Sequence, residues 1–462
     1  LKMKKITTTI AFFAVIIMSY GQSLGYQDLA LLFSQDDGNG TARFTAMSGA
    51  FGALGGDMST VNINPAGLSV FNNSAFSGSL NSRQTNIISN YYGTNTNNQD
   101  QFLNISQAGA VFVFKNAHKS DWNNFVLGFN YRITKDFTNS FNAKGNSGIA
   151  TFRDFPLDEN EPIIDYSIAE EQRFFNDYAG EVSEMNIAFS SVHKKKLYLG
   201  ASLNFYDLNF SQRATLVEFN NDGSGNTLDA NLYQENFITS SGVSLNLGFI
   251  YKAHQNFRFG LSYQTPTMFT EVLEESNIVD NEGFMGDTEI VVSNNSTIYD
   301  NTSGGYYPSQ RFVFRLKTPS KLTASAAIIF GKKGLLSIDY VNKNYQNMKL
   351  SNADFSDENQ FFQNELRKTH ALNIGSEWRF ERLSLRGGYK FEQSPDKMAL
   401  DSDNLAGYSF GGGYNFGNFK LDFAYSNNNR TAPYNFYSGF NVNSANLSID
   451  NKVFTATVAI NL

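Results

Sequence analysis

The chain has 462 residues, of which 15% are aromatic and only 17% charged, against roughly 25% charged in an average soluble domain. It contains no cysteine, which excludes disulfides, thiol catalysis and Cys-based zinc sites. A formal charge of -7 argues against nucleic acid as a partner, because binding its backbone needs clustered positive charge. The 43 Phe and 23 Tyr are scattered among polar neighbours and mean hydropathy is -0.33, so a helical membrane protein is excluded as well. Such a composition suits a chain whose side chains meet two different solvents.

At the N-terminus, Lys4 and Lys5 precede an apolar run, Ile10 to Met18, followed by Ser19-Tyr20-Gly21. A basic head, a short greasy run and small residues before the cut describe a secretory signal, residues 1–21. The run is too short to cross a bilayer, which takes about 20 residues. Residues 22–72 read differently from the rest. Asp28 to Phe33 look like one or two helical turns, and two small-residue stretches follow, Thr41 to Gly56 and Asp57 to Leu68. This pattern predicts a compact, irregular plug.

From 73 to 462 the sequence falls into short alternating segments with the period of a strand. Phe125, Leu127, Phe129, Tyr131 and Ile133 alternate with Val126, Gly128, Asn130 and Arg132; Phe419, Leu421, Phe423 and Tyr425 alternate with Lys420, Asp422 and Ala424. Aromatics fall near the ends of the apolar faces, as girdles at a lipid boundary require. Connections alternate between short turns (near 116–121, 193–196, 252–256, 331–334, 380–382 and 416–418) and long polar loops (near 84–104, 136–182, 213–236, 272–308, 351–368, 395–404 and 430–450). Treating Gln310 to Phe330 as one strand bent at Pro319 preserves that alternation, since Pro is tolerated at a bend. The count is then fourteen, an even number as expected of a barrel in an outer membrane. The expected fold is all-β: a 14-stranded antiparallel transmembrane β-barrel with a small N-terminal helical or irregular hatch. A lumen that wide needs a plug.

The hatch residues Thr41-Ala42-Arg43, Met47, Gly49-Ala50, Gly56-Asp57 and Asn64-Pro65-Ala66-Gly67 resemble the hatch of the FadL/TodX family of outer-membrane transporters. Phe259 to Pro266 is similar to that family's G-x-S-Y-x-S/T-P strand. Asp339-Tyr340 and Leu385 to Tyr389 stand where the family has comparable residues. The resemblance implies a barrel in the outer membrane that takes up long-chain fatty acids or aromatic hydrocarbons passively, with hatch-gated passage. It also implies sideways release at an inward kink in the third strand, here about 122–135. Expected partners are outer-membrane lipid and lipopolysaccharide, hydrophobic small molecules and other envelope proteins. The alternative is a non-transporting barrel of this type, an accessory subunit of an outer-membrane protein secretion or assembly complex, with loops such as 136–182 making the contacts.

In a channel of this kind apolar pockets supply the attraction, at about 25 cal/mol per Å² of apolar surface removed from water. Phe44, Phe51 and Leu54 are candidate ligand-lining residues; packing of plug against wall is the competing reading. Asn64, Pro65, Ala66 and Gly67 are the candidate hatch and gating residues, because Pro fixes its own φ and restricts the residue before it. Arg386 and Lys390 are candidates for lining the ligand path and holding a carboxylate. The alternative for them is a network with Asp339, Glu377 and Arg379 that fixes the hatch.

Other signals carry less. Gly407-Tyr408-Ser409-Phe410-Gly411 matches G-x-S-x-G, but all four His precede Ser409 and the segment alternates as a strand, not as a strand-to-helix elbow. Gly49, Gly52, Gly55 and Gly56 lack the nucleotide-loop spacing. His118, His193 and His254 fall in short turns beside lysines, with no metal-ligand spacing. The acidic runs at Asp158-Glu159-Asn160-Glu161 and Glu274-Glu275 read as solvated loop charge. No catalytic residue, cofactor or metal is expected.

Overall fold

A computed structural model describes residues 24–115, 121–155, 164–277, 287–292, 297–300, 309–437 and 442–462. The expected leader 1–21, most of the first short turn with His118, and the acidic run 158–161 lie outside these residues.

The alternating segments form one sheet that closes on itself. Its strands are β1 (Ala75–Tyr91), β2 (Thr94–Lys115), β3 (Trp122–Asp136, resumed at Asn139–Gly145), β4 (Ile168–His193), β5 (Leu197–Asn221), β6 (Thr227–His254) and β7 (Phe257–Gln264 and Met268–Asn277). They continue as β8 (Ser309–Lys317 and Lys321–Phe330), β9 (Gly334–Asn344), β10 (Lys368–Phe380), β11 (Leu383–Glu392), β12 (Leu405–Asn415), β13 (Phe419–Tyr434) and β14 (Ala445–Asn461). Neighbours pair antiparallel, and β14 pairs with β1 from Ala75 opposite Asn461 to Asn90 opposite Asn446. Closure leaves no free sheet edge around the short-turn half. The fourteen-stranded barrel is therefore as expected, including the single strand bent at Pro319. Pro266 interrupts β7 at the same height, and the two bends are stitched together by Thr318 N to Thr267 O (3.0 Å) and Thr267 N to Thr318 Oγ1 (2.9 Å).

Strand β5 shows how the sequence specifies two environments on each face. Near the short turns its outward residues are Leu199, Leu203 and Phe205, and its inward ones Gly200, Ser202 and Asn204; further along the pattern inverts. There Asp207, Asn209 and Arg213 point out while Leu208, Phe210 and Leu216 are buried in the lumen. The lower half meets lipid outside, and the upper half meets water outside and an apolar core inside. Phe129 and Phe423 in the lower band are 39% and 42% exposed, whereas their inward neighbours Asn130 and Asp422 are 4% and 6% exposed.

This inversion corrects the expected loops. Residues 84–104 are not a long connection: β1 and β2 continue as a hairpin closed by Tyr92 and Gly93, whose φ values of 44° and 84° are those of a two-residue turn with both centres left-handed. Likewise β5 and β6 run through most of 213–236, leaving only 222–226 as the turn.

Inside the barrel lie helix α1 (Tyr26–Phe33), the short helix α2 (Ala42–Ala46) and two 3-10 turns, Met58–Asn62 and Pro65–Val70. The second half of this segment fills the lumen at the short-turn end. Helix α1 sits in the long-loop half, in a large apolar cluster with residues from the barrel wall and the long loops. A third helix, α3 (Ser356–Asn364), contributes Phe362 to that cluster.

Candidate functional site

Side-chain caps organise the hatch. Thr41 Oγ1 accepts from Phe44 N at the start of α2, Asp57 from Ser59 N, and Asn64 from Ala66 N, with Pro65 at the first position of the following turn, where its missing N–H costs nothing. Asn64 Nδ2 also donates to Gly52 O (2.8 Å) and to Phe249 O of β6 (2.9 Å). The wall opposite is built of glycine. A Cβ on Gly200 would lie 2.3 Å from Ala66 N, one on Gly248 2.2 Å from Asn64 Oδ1, and one on Gly260 2.4 Å from Gly52 O. Ser190 Oγ donates to Ala66 O (3.1 Å) and Ser262 Oγ to Ile63 O (2.6 Å). The main chain of Pro65 and Ala66 thus rests on β5 and the Asn64 side chain on β6 and β7, while Gly67 packs within the hatch against Gly55 and Thr60.

The three apolar candidates are buried together. Phe44 and Phe51 have ring centroids 5.5 Å apart and, with Met47 and Leu54, pack on Ala327 and Leu335 of the wall. Phe44 also borders an internal cavity of about 100 Å³, while Leu54 borders a larger one of about 580 Å³ at the short-turn end.

Arg386 and Lys390 are not brought together. Arg386 Nε bonds Glu377 Oε2 (2.7 Å) and its Nη1 bonds Asp422 Oδ1 (2.5 Å). The same Glu377 receives Arg43 of the hatch (2.7 Å) and Arg379 (2.5 Å), and Asp339 Oδ2 accepts from Gly52 N (2.9 Å). Arg386 therefore belongs to a buried ion network tying hatch to wall. Lys390 stands further up the lumen, 3.6 Å from Glu392. Ser409 lies inside β12 and donates to Ala46 O (3.0 Å), so the G-x-S-x-G match is a hatch contact on a strand.

A second hatch anchor, unforeseen in the sequence, is Asp36-Asp37. Asp36 takes both terminal nitrogens of Arg132 (3.0 and 2.9 Å), and Arg132 Nε reaches Glu184 (2.7 Å). Asp37 bonds Lys135 Nζ (2.7 Å), and its main-chain N–H donates to Thr134 O (2.8 Å). Burial pushes the Asp36 carboxyl up, but Arg132 and then Lys321 outweigh it and hold the group well below the usual carboxylate range. Three small cavities meet at Asp36. Two acidic residues before Gly38 were the only signal available.

Those anchors hold β3 where the wall is open. The β2–β3 ladder ends at Gln107 opposite Arg132. Strand β3 breaks at Phe137–Thr138, just past the 122–135 span expected for the third strand. Phe137 turns into the lumen, with ring centroids 5.6 Å from Phe33 of α1 and 5.1 Å from Phe210. Arg83 of β1 reaches across to Asp136 O (2.9 Å) and Thr138 O (2.7 Å). Above the break, β2 meets β3 through side chains: Ser140 N donates to Asp100 Oδ2 (2.7 Å) and Asn142 N to Asn98 Oδ1 (3.1 Å). On the outside at this level Leu103 is 72% and Ile105 60% exposed; they pair with β1 on one side, but β3 does not pair with them on the other.

Fold and site together define a hatch-plugged membrane barrel with an interrupted wall. No family model matches the sequence, and no curated protein is matched by it. Among solved structures the chain is similar to a Pseudomonas aeruginosa FadL homologue (14% identity, TM-score 0.59, covering 93% of this chain and 99% of that one). It is also similar to the P. putida toluene transporter TodX (16%, 0.55, 92% and 99%) and the Ralstonia pickettii toluene transporter TbuX (16%, 0.51, 91% and 98%). The fold implied by the hatch motifs is the fold found.

Proposed function

We propose that the protein is an outer-membrane channel for passive uptake of hydrophobic compounds, long-chain fatty acids or aromatic hydrocarbons. In this reading residues 1–21 are removed on export, 22–72 form the hatch and 73–462 the barrel. One observation carries it: Phe137, at the wall interruption, belongs to the apolar core of the upper lumen, which lies apart from the hatch seat. A compound partitions into the upper core, drawn by about 25 cal/mol per Å² of apolar surface removed from water. It then passes α1 and the Asp36-Asp37 anchor, and leaves sideways between β2 and β3. The Asn64–Gly67 seat keeps the short-turn end closed to water meanwhile. The solved neighbours named as toluene transporters support the substrate class.

The test is uptake of a labelled fatty acid or aromatic by a deletion strain. Loss of uptake, restored by the wild-type chain, is expected. Normal uptake combined with co-purification of a stable envelope complex would replace this reading with the accessory-subunit one.

A further inference from the structure

Exposed basic side chains on the upper outer wall are, at several points, matched by carboxylates: Arg213 with Glu235 (2.7 Å), Arg311 with Glu275 (2.6 Å), Lys144 with Glu171 (2.8 Å) and Lys452 with Asp450 (3.1 Å). One patch is different. On β8, Arg315 and Lys317 point outward, since Leu316 between them is buried in the lumen core. A short strand after β9, Lys349–Ser351, pairs with β8 so that Lys349 stands directly opposite Lys317 and Ser351 opposite Arg315. Lys368, exposed at the start of β10 and opposite Asn344, lies lower, near the level of Ser320. Among the described residues, none of these four cations has a carboxylate within 4.0 Å.

Like charges directly opposite each other across two strands are unfavourable, so Lys317 and Lys349 call for an anion from outside the chain. The height of the patch says which kind. Just below it the outer face turns apolar, with Met268 opposite Lys317, then Leu322, then Tyr340, which bonds His370 at the rim of the lipid band. The cations therefore lie at head-group level, on the long-loop side, with acyl-sized apolar surface beneath them.

We propose that Arg315, Lys317, Lys349 and Lys368 form a binding site for the phosphates of an outer-leaflet glycolipid, the bis-phosphorylated lipid A portion of lipopolysaccharide, whose acyl chains lie along Met268, Leu322 and Tyr340. The site rests on the outer-membrane placement proposed above but not on transport. Charge-assisted N–H to phosphate bonds, one of them the planar fork of Arg315, supply the attraction.

The experiment is native mass spectrometry of the full chain in detergent, titrated with lipid A, phosphatidylglycerol or phosphatidylcholine. Lipid A is expected to stay bound to the wild type, to lose affinity about tenfold or more in the K317Q/K349Q variant, and to be unaffected by R213Q, which alters a paired cation. Heat-modifiable gel migration checks folding, and the single K349Q variant, at one exposed position, gives a several-fold loss if the double variant fails to fold. Equal retention by wild type and K349Q overturns the proposal, and equal binding of phosphatidylglycerol overturns its assignment to the glycolipid. A protein that binds lipid A through this patch yet transports nothing would remove the uptake reading and leave this one standing.

Discussion

Asn64 donates from its side-chain amide to the main-chain carbonyl of Phe249, a contact that exists only because Gly248 next door has no side chain. A plug residue can approach a barrel strand this closely only where the strand is bare. The same holds at Gly200, where a Cβ would meet the main chain of Pro65 and Ala66 rather than a movable side chain.

Gly200→Ala should therefore displace the hatch. Forcing a methyl group into a packed site costs about 1–3 kcal/mol. The expected result is a lower unfolding midpoint and an ion leak in planar bilayers absent from the wild type. Gly78→Ala on β1, where a Cβ would meet nothing within 4 Å, should be silent in both measurements.

Glu377 accepts from all three of Arg43, Arg379 and Arg386. Glu377→Ala takes away the ion-pair partner of the buried Arg43 and leaves Arg386 with Asp422 alone, a change of about 3–5 kcal/mol. Urea unfolding in detergent should show that loss, with the hatch becoming protease-sensitive before the barrel. Unchanged protection of the hatch would mean that Arg43 is not its anchor.

Closing the wall interruption should stop lateral exit. Because the chain has no cysteine, a pair placed at Asp100→Cys and Ser140→Cys can be joined selectively by a short bis-maleimide. Uptake of a labelled hydrophobic compound should fall to the level of the deletion strain when the pair is joined and recover in the unjoined variant. Undiminished uptake in the joined form would place the exit elsewhere.

Asp36 makes hatch docking depend on pH. Its folded value is depressed by Arg132 and Lys321, so its contribution is fully present above the unfolded carboxylate value of about 4. It is lost as pH falls through the depressed folded value. A spin label at Ser34 should be immobile at pH 7 and grow mobile with acidification below about pH 4, while Asp36→Asn should be mobile throughout.

The barrel was legible because Phe125 to Arg132 and Phe419 to Tyr425 alternate where lipid lies on one side and plug on the other. Thr94 to Gln101 was not, since those residues are polar throughout and carry no apolar alternation. Pro65 marked the hatch turn, and Glu377, Arg379 and Arg386 marked the ion network, through residue types that carry meaning alone; Asp339 instead receives the main-chain N–H of Gly52. The Asp36–Arg132 pair stayed hidden because it joins positions 96 residues apart. Ile133, which belongs to an outward series by parity but is buried, is the only local trace of the β3 break.

The side-chain closure between β2 and β3 has a geometric consequence. Below Gln107 and Arg132 the circumference is set by a continuous ladder and cannot vary. Above them the barrel is a rolled sheet with a slit, held by the side chains of Asp100, Asn98, Arg83 and Asn104 (which donates to Asp136 Oδ2, 3.0 Å), and releasing these would let its girth grow while every main-chain bond from β3 to β4 and from β1 to β2 stays made. If the proposed sideways exit is correct, molecules of different width would leave by one route, each parting the slit only as far as its own cross-section demands.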